Sequence, residues 1–240
     1  MRGFTLVELM LAMTFISILL LAIAMTIVQI ANTYNHGMII KSVNQSSRAL
    51  TEELDLAIRS SGSFTTDPAE RRYVSNQWGG RLCAGQYSYV WNYGSALSEK
   101  NSNRNTYSSF NPAGNIVKVG SSDTSEISFV KVLDPIGAYC VPGTNGVYPA
   151  INPTDATELL RSGDHSLAIH AFTITSTATA KDSLSAQALY KVSFTLGTSN
   201  MSALTDDKTR CKAPNQAGSD ANYCSIQQFT IVLRAVSRVN

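Results

Sequence analysis

The sequence predicts an α+β protein in which one long N-terminal helix, half membrane-spanning and half amphipathic, packs on a mainly antiparallel β-sheet ectodomain. Three observations carry this expectation. An uncharged apolar run extends from Leu9 to Val28. Apolar positions at helical spacing follow between Lys41 and Arg59. Beyond them, several segments alternate apolar and polar residues with a period of two.

The first run would form a helix of about 30 Å at about 1.5 Å per residue, the thickness of a bilayer's hydrocarbon core. A cleaved secretory signal is the competing reading, since Ala22, Ile23 and Ala24 offer a small-x-small site. Signal h-regions, however, run only about 7 to 15 residues behind a basic segment. Here Arg2 and Glu8 cancel, and apolarity continues through Ile30. Glu8 is the anomaly, because a carboxylate near the centre of a membrane helix costs on the order of 3 kcal/mol on insertion scales. An acid kept there needs a partner. The nearest available cation would be the α-amine created by cutting between Gly3 and Phe4, which removes Met1, Arg2 and Gly3.

The helix is expected to continue past the membrane. Val43, Ser47, Leu50, Leu54, Ala57 and Ile58 recur with a period of 3.6, while Lys41, Arg48, Glu52, Glu53 and Asp55 lie elsewhere around the axis. Asn35, His36 and Gly37 are the one expected interruption, with Gly37 costing about 1 kcal/mol relative to alanine. Ser61 and Gly62 form the expected end, where glycine adopts a left-handed cap. From Phe4 to Ser60 the helix would reach about 85 Å.

Strands are expected where apolar residues occupy every second position. Tyr190, Val192, Phe194 and Leu196 alternate with Lys191, Ser193 and Thr195, and Phe229, Ile231, Leu233 and Ala235 alternate with Gln228, Thr230 and Arg234. Further strands are expected near Gly85 to Tyr93, Asn115 to Val119, Glu126 to Leu133 and Leu167 to Thr175. Asn152, Pro153 and Gly163 bracket a short predicted helix through Glu158, Leu159 and Leu160. This succession reads as one extracellular β-rich domain over 62–240, following an anchor over 4–31 and its amphipathic continuation over 32–61.

Charge and motifs narrow the function classes. Formal net charge is +2 and the only adjacent basic pair is Arg71 and Arg72, so no dense cationic stripe argues for nucleic acid. No G-x-S-x-G, H-E-x-x-H, Walker or dinucleotide motif occurs, and catalysis has no positive evidence. Asp164, His165 and His170 could form a metal or acid-base cluster, but His165 and His170 differ in parity along a predicted strand and would face opposite ways. They read as ordinary strand histidines, and neither a metal nor any other cofactor is expected. Tyr87, Tyr89, Trp91 and Tyr93 fall at alternate positions and share one strand face. Exposed, that ladder would be a binding face for sugars, bases or a partner's side chains; buried, it would pack beneath the helix, which is favoured because aromatic rings dominate cores.

Gly3, Phe4, Thr5, Glu8 and the apolar helix after them resemble the cleavage and methylation motif of type IV pilins and type II secretion pseudopilins. The resemblance covers about the first thirty residues. It implies a leader of residues 1–3, cleavage between Gly3 and Phe4 by a membrane prepilin peptidase, N-methylation of Phe4, and an assembly role for Glu8 against a neighbouring subunit's terminal amine. It also implies other pilin subunits, an inner-membrane assembly platform and membrane lipid before assembly as partners. The precursor would cross the cytoplasmic membrane once, N-terminus inside, before entering an extracellular pilus or a periplasmic pseudopilus. Many major subunits of the family carry glycine and proline where this chain has Ser17 and Met25, and 47–59 is loosely similar to the helix of W-type minor pilins and J-type pseudopilins. The expectation is therefore a minor structural subunit, initiating or capping the fibre. An adhesive or DNA-capturing role for the ectodomain is the alternative, and a membrane-anchored enzyme is a distant third.

Cys83, Cys140, Cys211 and Cys224 all follow the anchor, and an even count there suggests disulfides in an oxidising compartment. Three pairings are open. We favour Cys211 with Cys224, bracketing a polar loop that resembles the disulfide-bounded C-terminal loop of pilins, and Cys83 with Cys140. A four-cysteine zinc site is disfavoured because no C-x-x-C pair occurs.

Overall fold

The computed structural model describes residues 5–67, 70–102, 127–143, 148–149, 151, 155–160, 166–176 and 188–235, and the expected strand at 115–119 lies outside them. Helix α1 runs from Leu6 to Ser61 without a break, so Asn35, His36 and Gly37 do not interrupt it. No atom lies within 4 Å of where a Gly37 Cβ would sit, so this glycine answers no packing demand. Its propensity cost is absorbed by the helical turns on either side. The helix ends at Gly62 with φ 70° and ψ 178°, a conformation open to glycine but distinct from the expected left-handed cap.

The amphipathic half packs as its periodicity requires. Val43, Ser47, Leu50, Leu54, Ala57 and Ile58 are all buried, joined by Ile39 and Ser46. Two antiparallel sheets receive this face. The first is a meander of β1 (Tyr73–Ser75), β2 (Gly79–Ala84), β3 (Tyr87–Asn92), β4 (Phe129–Leu133) and β5 (Ala156–Glu158), each strand paired with the next in sequence. The second orders β6 (Leu167–Ser176), β7 (Ala188–Thr198) and β8 (Ile226–Ala235). A parallel bridge between Tyr93 and Ile169 links them, and one apolar core draws residues from α1 and both sheets. The architecture is α+β, with two sheets where the sequence suggested one.

Several local expectations need correction. Ala156–Glu158 is a strand on the edge of β4, and the expected helix through Glu158 is absent there. The cause is tertiary: the Glu158 carboxylate accepts hydrogen bonds from the Ser128 and Phe129 amides, both at 2.8 Å, which holds the chain extended beside β4. Gly85, with φ 66°, belongs to the β2–β3 turn, so the predicted strand from Gly85 begins at Tyr87. β2 was not anticipated, because Gly79 and Gly80 lower strand propensity. Both glycines are needed: a Cβ on Gly80 would lie 2.1 Å from the Trp91 ring. Helix α2 (Gly94–Ser102) was also not anticipated.

Long-range polar contacts fix the helix against the sheets. Glu53 on α1 pairs with Lys131 on β4 at 2.6 Å and accepts the Tyr89 hydroxyl hydrogen bond, also at 2.6 Å. Partial burial opposes ionisation of Glu53, but hydrogen bonds from Lys131 and Tyr89, with the Lys131 charge, hold its carboxyl below the ordinary value. Beyond the helix end, the Phe64 amide donates to the Tyr190 hydroxyl at 2.6 Å, that hydroxyl donates to the Phe64 carbonyl, and the two rings stack at 4.3 Å.

Candidate functional site

Gly3 and Phe4 lie outside the described residues. The first described turn is built around Thr5 and Glu8. Thr5 is the N-cap: its side chain accepts from the Glu8 amide at 3.3 Å, while Glu8 Oε2 accepts from the Thr5 amide at 3.0 Å and hydroxyl at 2.9 Å. This reciprocal box satisfies amide donors that a helix start otherwise leaves open. Glu8 therefore has a hydrogen-bonding partner within its own chain, and its side chain is exposed.

Every described side chain from Leu6 through Ala31 is exposed, a contiguous apolar surface far larger than a soluble monomer leaves uncovered. An 18-residue window of this helix reaches a mean hydropathy of 2.6, so the segment is long and apolar enough to cross a bilayer. Its hydroxyls suit that setting. Thr14, Ser17, Thr26 and Thr33 each donate to a carbonyl three or four residues back, at 2.8 to 2.9 Å. Ser17 thus adds no unsatisfied polar group to an apolar surrounding.

No protein-family model, curated protein or solved structure matches this chain.

The aromatic ladder is inside the molecule. Tyr89 and Trp91 are fully buried, Tyr93 is buried and Tyr87 is half-buried. The Trp91 ring packs on Phe172 at 4.4 Å and Phe129 at 5.5 Å, while the Tyr73 and Tyr93 hydroxyls both donate to the Phe172 carbonyl. A binding face at Tyr87, Tyr89, Trp91 and Tyr93 is thereby replaced by a core seam between the sheets. Burial, followed by the neighbouring Tyr93, pushes Tyr73 up to about 12.

Both favoured cysteine pairs are bonded, Cys83 with Cys140 and Cys211 with Cys224. The first joins β2 to a short 3-10 turn, Ala138–Cys140, whose Ala138 and Tyr139 amides donate to the Asp134 carboxylate. Ser88 on β3 donates to that carboxylate at 2.6 Å. Arg81 on β2 is fully buried and reaches the carbonyls of Tyr139 at 2.8 Å and Pro149 at 3.1 Å. Burial lowers its pKa to about 10, so it stays charged at neutral pH. Sequence inspection did not single out Arg81. A lone cation among apolar strand residues was the available signal.

Asp164 and His165 both lie outside the described residues, so of the disfavoured Asp164, His165 and His170 cluster only His170 is described. His170 is the extra residue of a β-bulge, between the Ile169–Leu196 and Ala171–Thr195 pairs, and the bulge turns its ring inward. Its Nε2 lies 3.0 Å from the Thr198 carbonyl, and a Cβ at Gly94 would sit 2.7 Å from the ring. Burial, with the Lys208 charge adding to it against the Thr198 contact, lowers its pKa to about 4. The native state thus holds His170 neutral, while the unfolded chain protonates it below about 6.5. Its contribution to stability is complete above pH 6.5 and is lost as pH falls towards 4, by up to about 3 kcal/mol. Urea melts from pH 7 to pH 4 should show this fall, and His170→Gln should flatten it. An equal slope in the variant would contradict the assignment.

Proposed function

We propose that this chain is a minor, pilin-like structural subunit of a type IV pilus or related pseudopilus, cleaved after Gly3, N-methylated at Phe4 and assembled through its N-terminal helix. The observation that carries the proposal is the exposed apolar half of α1, bearing the lone acid Glu8 at its start and joined without a break to a folded α+β head. A helix built this way needs lipid before assembly and other helices after it. Glu8 gives the bundle a register, because an acid moved into an apolar fibre core is stable only opposite a cation, here a neighbour's terminal amine. In this reading a prepilin peptidase hydrolyses the peptide bond after Gly3, and an inner-membrane platform inserts the processed chain into the fibre.

We read the head as non-enzymatic. The adhesive or DNA-capturing alternative loses its leading surface, because the Tyr87 to Tyr93 ladder packs in the core.

Intact mass and fibre recovery test the proposal in cells carrying the pilus machinery. Gly3→Val should leave the three leader residues attached and Phe4 unmethylated. Glu8→Ala should be processed normally yet fail to enter fibres. Wild-type processing of the first variant together with wild-type incorporation of the second would overturn it.

A further inference from the structure

The disulfide-closed loop of Cys211 and Cys224 lies at the membrane end of the head. Tyr223 marks its position, accepting a hydrogen bond at its hydroxyl from Asn35 Nδ2 at 2.8 Å. Along α1, side chains are exposed through Ala31 and become partly covered at Asn32, Asn35 and Met38, which share one helix face. The lower edge of the head therefore begins at Asn32. If Val28 ends the hydrocarbon span, Asn32 sits about 6 Å beyond it at about 1.5 Å per residue. The polar headgroup layer on each side of a bilayer is about 5 to 7 Å thick. The head's lower edge falls within that layer.

The surface at this edge suits it. Residues 213–218 of the loop are exposed, as are Tyr223 and, on the helix, Tyr34. Tyrosine is favoured at the headgroup level, where its ring and hydroxyl meet both environments. From Thr205 to Cys224 the bases Lys208, Arg210 and Lys212 are balanced by Asp206, Asp207 and Asp220, so the loop needs no anionic lipid. It is also preformed. The disulfide is reinforced by the Lys212 amide donating to the Ala203 carbonyl at 2.8 Å, the Ala213 amide to Gln216 Oε1 at 2.9 Å, and the Ser219 hydroxyl to the Lys212 carbonyl at 3.2 Å.

We infer that this loop, with Tyr223 and Tyr34, is a foot that seats the unassembled head on the headgroup layer of the bilayer crossed by α1. The inference rests on the membrane-spanning reading of that helix. Its ligand is the zwitterionic phospholipid surface. Seating the loop limits the tilt of the head, and the Asn35–Tyr223 bond carries that restraint to the helix.

Full-length protein in phosphatidylcholine vesicles carrying nitroxide lipids tests the foot, with wild-type fluorescence subtracted to remove Trp78 and Trp91. Tyr223→Trp and, independently, Ala213→Trp should be quenched by a headgroup nitroxide, at both low and high salt. Leu56→Trp, which is exposed high on α1, should not be. Leu20→Trp should be quenched by a deep acyl-chain nitroxide, which reports the span itself. If the span is quenched while both loop variants behave as Leu56→Trp does, the foot is refuted. A blue shift at the loop without nitroxide quenching would mean that a second copy covers it, and also refutes the foot. Loss of quenching at Leu20→Trp would overturn the span and the foot together.

Discussion

Trp91→Ala should destabilise the head by about 3 to 5 kcal/mol, the range for removing a large aromatic side chain from a packed core. Trp91 is fully buried, with Phe172, Phe129 and Tyr73 against its ring and Gly80 beneath it. Its place cannot collapse easily, because Gly80 offers no side chain to move in and the flanking rings belong to different sheets. Losses of this size are a large fraction of a domain's total stability. Equilibrium urea denaturation followed by near-UV circular dichroism measures it. A cost below about 1 kcal/mol, which is typical of surface substitutions, would contradict the core placement and reopen the ladder as a binding surface. Any failure of the variant in an adhesion assay should be read only after this measurement.

Removing the Cys83–Cys140 disulfide by paired alanine substitution should cost about 4 kcal/mol on the chain-entropy model, given the 57-residue separation of its ends. Removing Cys211–Cys224, with a separation of 13, should cost about 3 kcal/mol. The native geometry around the first bond has independent support, since Asp134 still gathers Ser88 and the amides of Ala138 and Tyr139. Its loss should therefore act mainly by freeing the unfolded chain. Urea midpoints of the two double variants provide the comparison. A larger effect from the shorter loop would show that native strain or local packing, rather than loop closure, sets the contribution of these bonds.

The sequence revealed most where one period or one composition governs a long stretch. The buried face of α1 from Val43 to Ile58 could be read residue by residue, and so could the alternation of β7, whose Tyr190, Val192, Phe194 and Leu196 are all buried. It revealed least where a distant group overrides local preference. β2 contains two adjacent glycines that argue against a strand until Trp91 is placed above them. β5 lies next to residues bracketed like a helix, yet Glu158 is claimed by the amides at the start of β4. The pairing of four cysteines left three arrangements open, and only the fold brings Cys140 to β2. Of the candidate assembly site, Glu8 and the bare apolar helix are visible in both sequence and structure. The processing positions Gly3 and Phe4 remain a reading of sequence alone.

The Tyr190 clamp on Phe64 has a mechanical consequence. Tyr223 just before β8 touches Asn35, while Tyr190, which pairs with Leu233 near the other end of β8, touches Phe64 beyond the end of α1. β8 therefore runs alongside the helix in the same direction, about 34 Å of strand beside about 39 Å of helix. A pull along the helix axis meets the β7–β8 ladder lengthwise, so its hydrogen bonds would have to break together rather than one after another. The head is thus anchored to its stalk in the orientation that best resists tension.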